Sequence, residues 1–93
     1  QVETSLFYYR SHNYRKVDFV TRQGTHIKQL IQVCYDMTSP KTEKREVGSL
    51  IECAGELKCN NLLIITNNEE REIHTDGYNI KVIPFIKYGL GNI

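Results

Sequence analysis

The chain has no apolar run near the ~20 residues that a bilayer-spanning helix needs, so a helical membrane anchor is not expected in it. Its first residues, "QVETSLFYYR", lack the apolar core of a signal peptide. There is no charge imbalance: a formal net charge of +1 announces neither nucleic acid nor an acidic partner, and any binding patch must come from local clustering. Cysteine is sparse. Cys34, Cys53 and Cys59 are odd in number and do not have zinc-ligand spacing, and no histidine stands at finger distance. They read as reduced, mostly buried thiols of a cytoplasmic protein, and His12, His26 and His74 as surface residues. Repeats, linkers and low-complexity segments are missing too. What remains is one domain over residues 1–93, long enough to bury roughly 60–65% of its unfolded surface.

Three β-prone segments come first. Residues 5–10 are aromatic, 16–22 form a second run, and 26–35 a third with an almost continuous apolar end. Short polar turns, "SHNYR" and "RQGTH", join them into an antiparallel meander. A helix follows over about 40–59. Ser39 is expected as N-cap, with Pro40 at the first helical position, where its missing N–H costs nothing. Val47, Leu50, Ile51, Ala54 and Leu57 make an apolar stripe at helical period. Glu43, Lys44, Glu52 and Glu56 fall on the other faces, Asn60 or Asn61 ends the helix, and Gly48 and Gly55 would allow close approach to the sheet. "LLIIT" (62–66) has the pattern of a strand covered on both sides. Asp76-Gly77 between apolar alternations marks a closing hairpin. Pro84 belongs at the end or edge of its strand, and the tail from Ile86 is expected to fray. A helix linking the third strand to the fourth makes those two strands parallel, with a right-handed crossover. The expected fold is an α/β mixed sheet with one crossover helix.

Chemistry-bearing residues concentrate on the second and third strands. Gln32 and Cys34 are two apart and share a strand face, and Asp18 is expected opposite them on the neighbouring strand. An acid facing a polar pair across two strands is the skeleton of a divalent-metal nuclease site. Separately, Arg10, Arg15, Lys16, Arg22 and Lys28 crowd the first third of the chain among Tyr8, Tyr9, Tyr14 and His12. That mixture suits phosphate contact and base stacking, and it equally suits a solvated hairpin edge protected by charge.

The ordered blocks "YYR", "KVDFV", "IQVCYD", "TEKREVGSL", "LLIIT" and "GYNIKVIPF" resemble the restriction-endonuclease-like, or PD-(D/E)XK, fold. More closely, they resemble the C-terminal nuclease-like domain of unknown function in prokaryotic AAA+ ATPases. The resemblance implies that the chain is the C-terminal part of a larger ATPase. ATP would bind in another part, since no G-x-x-x-x-G-K-S/T sequence occurs here. It implies Asp18 as the first metal-binding acid, with Gln32 where a Glu is expected and Cys34 where a Lys is expected. The acid often found just before Asp18 is replaced by Lys16-Val17. The helix that precedes the first strand of that fold is mostly gone, with Gln1–Thr4 as its last turn and Glu3 as a remnant acid.

Such a site is degenerate. Magnesium or manganese wants several anionic oxygens. Asp18 supplies one carboxylate, Gln32 a neutral carbonyl, and Cys34 a soft thiol that is a poor ligand for a hard cation. Losing one group that stabilises the developing phosphorane charge typically costs ~3–4 kcal/mol. Lys28 shares a simple strand face with Gln32 but lies four residues away, roughly 13 Å along a strand. Three readings follow: an accessory domain impaired in catalysis that contacts DNA or regulates the ATPase, an active metal-dependent DNA nuclease with an atypical site, or a structural or protein-interaction module. In the bland account of the trio, Asp18 caps a turn or pairs with a neighbouring base such as Lys16 or Arg45, Gln32 satisfies a backbone group and Cys34 is core.

Overall fold

The structure is a computed structural model that describes residues 4–86. Six strands and one helix follow in the order β1 (Thr4–Arg10), β2 (Lys16–Gln23), β3 (His26–Val33), α1 (Pro40–Leu57), β4 (Leu62–Thr66), β5 (Arg71–Thr75) and β6 (Tyr78–Pro84). They form one mixed α/β sheet in the order β1-β2-β3-β4-β6-β5. The first three strands are an antiparallel meander, as expected. The helix crosses over between β3 and β4, which are parallel. Thr4 opens β1, where the sequence suggested a helical turn. Gln1–Glu3 and the tail from residue 87 lie outside the described residues.

Strand β6 pairs in parallel with β4, and β5 takes the sheet edge. The composition of the hairpin explains this order. β6 carries Ile80, Val82 and Ile83, all buried, and suits an inner position. β5, "REIHT", is charged and mostly exposed, which is how natural sheets blunt an edge. The hairpin turns at Asp76 (φ 52) and Gly77 (φ 80), the paired positive φ of a type I′ turn. All five residues of β4 are buried, and Pro84 closes β6 opposite Thr66, where its lost N–H costs least.

The helix is two residues shorter than the pattern suggested. Lys58 adopts the left-handed conformation (φ 55) that closes it, and Cys59 N–H donates to the Ala54 carbonyl at 3.1 Å. Ser39 holds the N-cap position, but its hydroxyl makes no capping bond. The turn before it is organised by Asp36, whose Oδ1 accepts from Thr38 N–H (2.9 Å) and from the Thr38 hydroxyl (2.7 Å). Leu50, Cys53 and Ala54 seal the core against Val17, Val20, Leu30, Ile64, Ile80 and Val82. Ile51 and Leu57 flank that contact. At Gly48 the neighbour is not the sheet but the flexible end of Arg15, which an added side chain would displace.

Two bulges break the simple alternation of the meander. Phe7 and Tyr9 pair with Val20 and Val17, so β2 carries an extra residue at Asp18–Phe19 opposite Tyr8. Val17 and Val20, three apart, therefore both face the helix. A second extra residue stands at Lys28, between the Thr21–Gln29 and Arg22–Ile27 pairs. It removes Lys28 from the simple alternation that would have placed it on the face of Gln32.

Candidate functional site

Asp18 and Gln32 are brought together at the β2 bulge. A bulge leaves ladder groups unpaired, and here side chains take them up. Asp18 N–H donates to Gln32 Oε1 (3.0 Å), and Gln32 Nε2 donates to the Lys16 carbonyl (3.2 Å). Val33 N–H in turn donates to Asp18 Oδ2 (2.9 Å). The Gln32 side chain, fully buried, thus acts as a rung between β2 and β3. Its amide is the right group for the task, because it offers one acceptor and one donor to a backbone N–H and C=O. The other carboxylate oxygen of Asp18 accepts from Lys16 Nζ at 2.8 Å. This bond raises the Lys16 ammonium above its ordinary pKa and balances the carboxylate charge. Lys16, not Arg45, is the base beside Asp18.

Cys34 follows Gln32 on the helix side of the sheet. Its backbone N–H donates to Ile65 C=O (2.9 Å), and its thiol turns to the Asp36 carbonyl at 3.5 Å. Burial pushes this thiol up, and Glu46 at the start of α1 adds to the effect. Glu46 pairs with Arg45 at 3.3 Å. Arg45 acts on the same thiol in the opposite sense, so both members of this pair influence Cys34. Among the described residues, no three His, Cys, Asp or Glu side chains converge as a metal-binding group.

The five basic candidates are all exposed, but they do not form one patch. Arg10 and Lys16 are cross-strand partners, and Arg10 stacks 5.7 Å from the Tyr8 ring centroid. Arg22 sits 5.3 Å from the Phe7 ring centroid, six residues along β2 from Lys16, roughly 20 Å. Lys28 lies near that second end. Arg15 leans onto α1, 4.0 Å from Glu52.

A second polar cluster was hidden in the sequence, where Glu52 and Glu56 looked like solvated helix residues. Glu52 accepts from the Ser11 hydroxyl and, at 3.4 Å, from Asn13 Nδ2. Glu56 accepts from His12 N–H (2.9 Å) and from the Tyr9 hydroxyl (2.6 Å). The Ser11 bond holds Glu52 below the usual carboxylate range, and the Glu56 bond lifts Tyr9 to about 12. These acids clamp the β1–β2 turn to the helix. Their i, i+4 spacing on one helix face was the available signal. It carried no hint of a partner more than 40 residues away in the chain.

All three cysteines are free, with Cys53 and Cys59 buried. Burial raises the Cys53 thiol to about 11, as fits a packing role. Among the described residues, no helix is long and apolar enough to cross a membrane.

No protein-family model matches the chain, and no solved structure is significantly similar to it. The uncharacterized protein MJ1544 of Methanocaldococcus jannaschii is 37% identical over 92 residues, covering 92% of this chain and 20% of that protein. The chain thus spans about a fifth of the relative's length, and is homologous to a domain-sized part of a larger uncharacterized protein.

Proposed function

We propose that the chain is a nuclease-like accessory domain of a larger, cytoplasmic AAA+ ATP-binding protein, and that it acts through contacts rather than by cleaving phosphodiesters. The observation that carries this reading is the rung at the β2 bulge. Asp18 and Gln32, the two residues that would approach a divalent cation in a restriction-endonuclease-like site, are bonded to backbone groups and to Lys16. Turning either toward a metal strands a polar partner, at ~1–3 kcal/mol for each buried group. Cys34, with its raised thiol pKa, is neutral near physiological pH and supplies neither a base nor a cation. ATP and its magnesium ion would belong to the remainder of the parent protein, consistent with a relative about five times as long. Contact with DNA, if made, would fall to Arg10 and Lys16 beside Tyr8, where a stacking ring and two cations adjoin. Regulation of the ATPase portion is the other contact role open to the domain.

The test is a cleavage assay with labelled DNA and manganese, comparing the chain with Asp18→Ala. No cleavage above the protein-free background is expected from either. Metal-dependent cleavage by the unaltered chain that disappears in the variant would overturn the proposal in favour of an atypical active nuclease.

A further inference from the structure

We propose that the sheet face opposite α1 is a self-association surface through which two copies of this chain pack face to face. The proposal goes beyond the accessory-domain reading and rests on separate observations. Strand alternation sends half of the apolar residues away from the helix. Phe19 pairs with Ile31 and Ile31 with Leu63, an apolar row over β2, β3 and β4 that ends at Lys81 on β6; Val33 pairs with Ile65 and Ile65 with Ile83, a second row over β3, β4 and β6. Ile31, Leu63, Ile65 and Ile83 form a second buried cluster, shielded by their neighbours in the sheet. Around them an open groove of about 290 Å³ is lined by Leu6, Phe19, Ile31, Val33, Ile65 and Phe85. It continues past Val33 and Phe85 to Tyr35.

The exposed area matches what a homodimer requires. Leu6, Phe19, Val33, Tyr35 and Phe85 are 60%, 41%, 49%, 75% and 66% exposed. With ~150–250 Å² for an aromatic side chain, these residues leave about 500 Å² of apolar surface in water. That is at the upper end of what a monomer tolerates as one patch. A standard interface buries ~800 Å² per partner, of which ~65% is apolar in homodimers, or about 520 Å².

The charge pattern fits a second copy of the chain. No charged side chain lines the groove, so a two-fold contact brings no like charges together at its centre, and a uniformly apolar patch is complementary to itself. At the margin, Lys81 is the cross-strand partner of Glu72, and Lys16 is paired with Asp18. Apart from one corner, where Arg10 adjoins Lys16, the rim presents no single-sign field to draw in a nucleic acid or a strongly charged protein. Two such faces stack as sheets ~10 Å apart.

Sedimentation velocity of the 93-residue chain from micromolar to submillimolar concentration tests this. The mass should rise from 10.8 kDa toward twice that value, with little loss at high salt. Val33→Lys and Phe85→Lys each place a charge where it must be desolvated, and should weaken the dimer at least ~100-fold while circular dichroism shows the fold retained. Tyr14→Lys, at an exposed turn residue outside the groove, should leave association unchanged. A monomer at every concentration would overturn the proposal, whether residues 87–93 or another part of a longer parent then occupies the face. So would a dimer that survives both lysine substitutions.

Discussion

The two faces of this sheet are built from the same residue types on the same strands, yet they end in different states. On one face, Val17, Val20, Leu30, Ile64, Ile80 and Val82 are sealed beneath α1. On the other, Ile31, Leu63, Ile65 and Ile83 are hidden only by one another, and Phe19, Val33 and Phe85 stand in water around them. Polar clamps follow the same division. Glu52 and Glu56 tie the β1–β2 turn to the helix, and Arg71 bonds Glu43 at 2.7 Å from the other edge of the sheet. Burial of the first face thus comes with a ring of bonds that fixes the helix in place. Parallel strands such as β3, β4 and β6 are ordinarily covered on both sides. The bare face is the part of the sheet that α1 leaves uncovered, and the part on which the proposed self-association rests.

Substitutions that treat the faces unequally sharpen this contrast. The largest effect is expected from Leu50→Ala on the sealed side, a loss of ~2–5 kcal/mol of unfolding free energy in chemical denaturation. Phe85→Ser on the bare side, measured at concentrations low enough to keep the chain monomeric, should stay within ~0.5 kcal/mol. Equal costs for the two would erase the distinction between the faces.

A middle-sized effect belongs to the rung between β2 and β3. Gln32→Leu keeps the volume but leaves Asp18 N–H and the Lys16 carbonyl without their partners, which should cost ~1–3 kcal/mol. A neutral outcome in urea unfolding would show that the bulge does not depend on the Gln32 amide, and would remove the main support for a structural role of the degenerate trio.

The smallest effect concerns the clamp on the sealed side. Glu52 is held below its unfolded pKa by the Ser11 hydroxyl. Its contribution is therefore fully present above the unfolded carboxylate value and is lost as pH falls through the lowered folded value. Thermal melts taken from neutral pH down to about pH 3 should show a steeper acid-side decline for the unaltered chain than for Glu52→Gln. Parallel acid limbs would mean that the clamp contributes nothing to holding the turn.

Much of the architecture was legible in short windows of sequence. The helical stripe from Val47 to Leu57, the Asp76-Gly77 turn and the unbroken apolar run of β4 each specify an element locally. Their order was enough to make β3 and β4 parallel. The candidate site was legible only as a set of residue types. Asp18, Gln32 and Cys34 were found by alternation, but the bulge at Asp18–Phe19 changes that alternation, and the groups it frees are bonded by an amide on another strand.

The sequence by itself determined which segments become strands or helix, because periodicity and turn chemistry act over a few neighbouring residues. Only the tertiary structure decided that β6 enters the sheet ahead of β5, that Gln32 is spent on the β2 backbone, and that one apolar face is sealed while the other stays open. These outcomes depend on which distant groups can meet and satisfy one another. A single helix has one packing face, and among the described residues α1 is the helix that packs on this two-sided sheet.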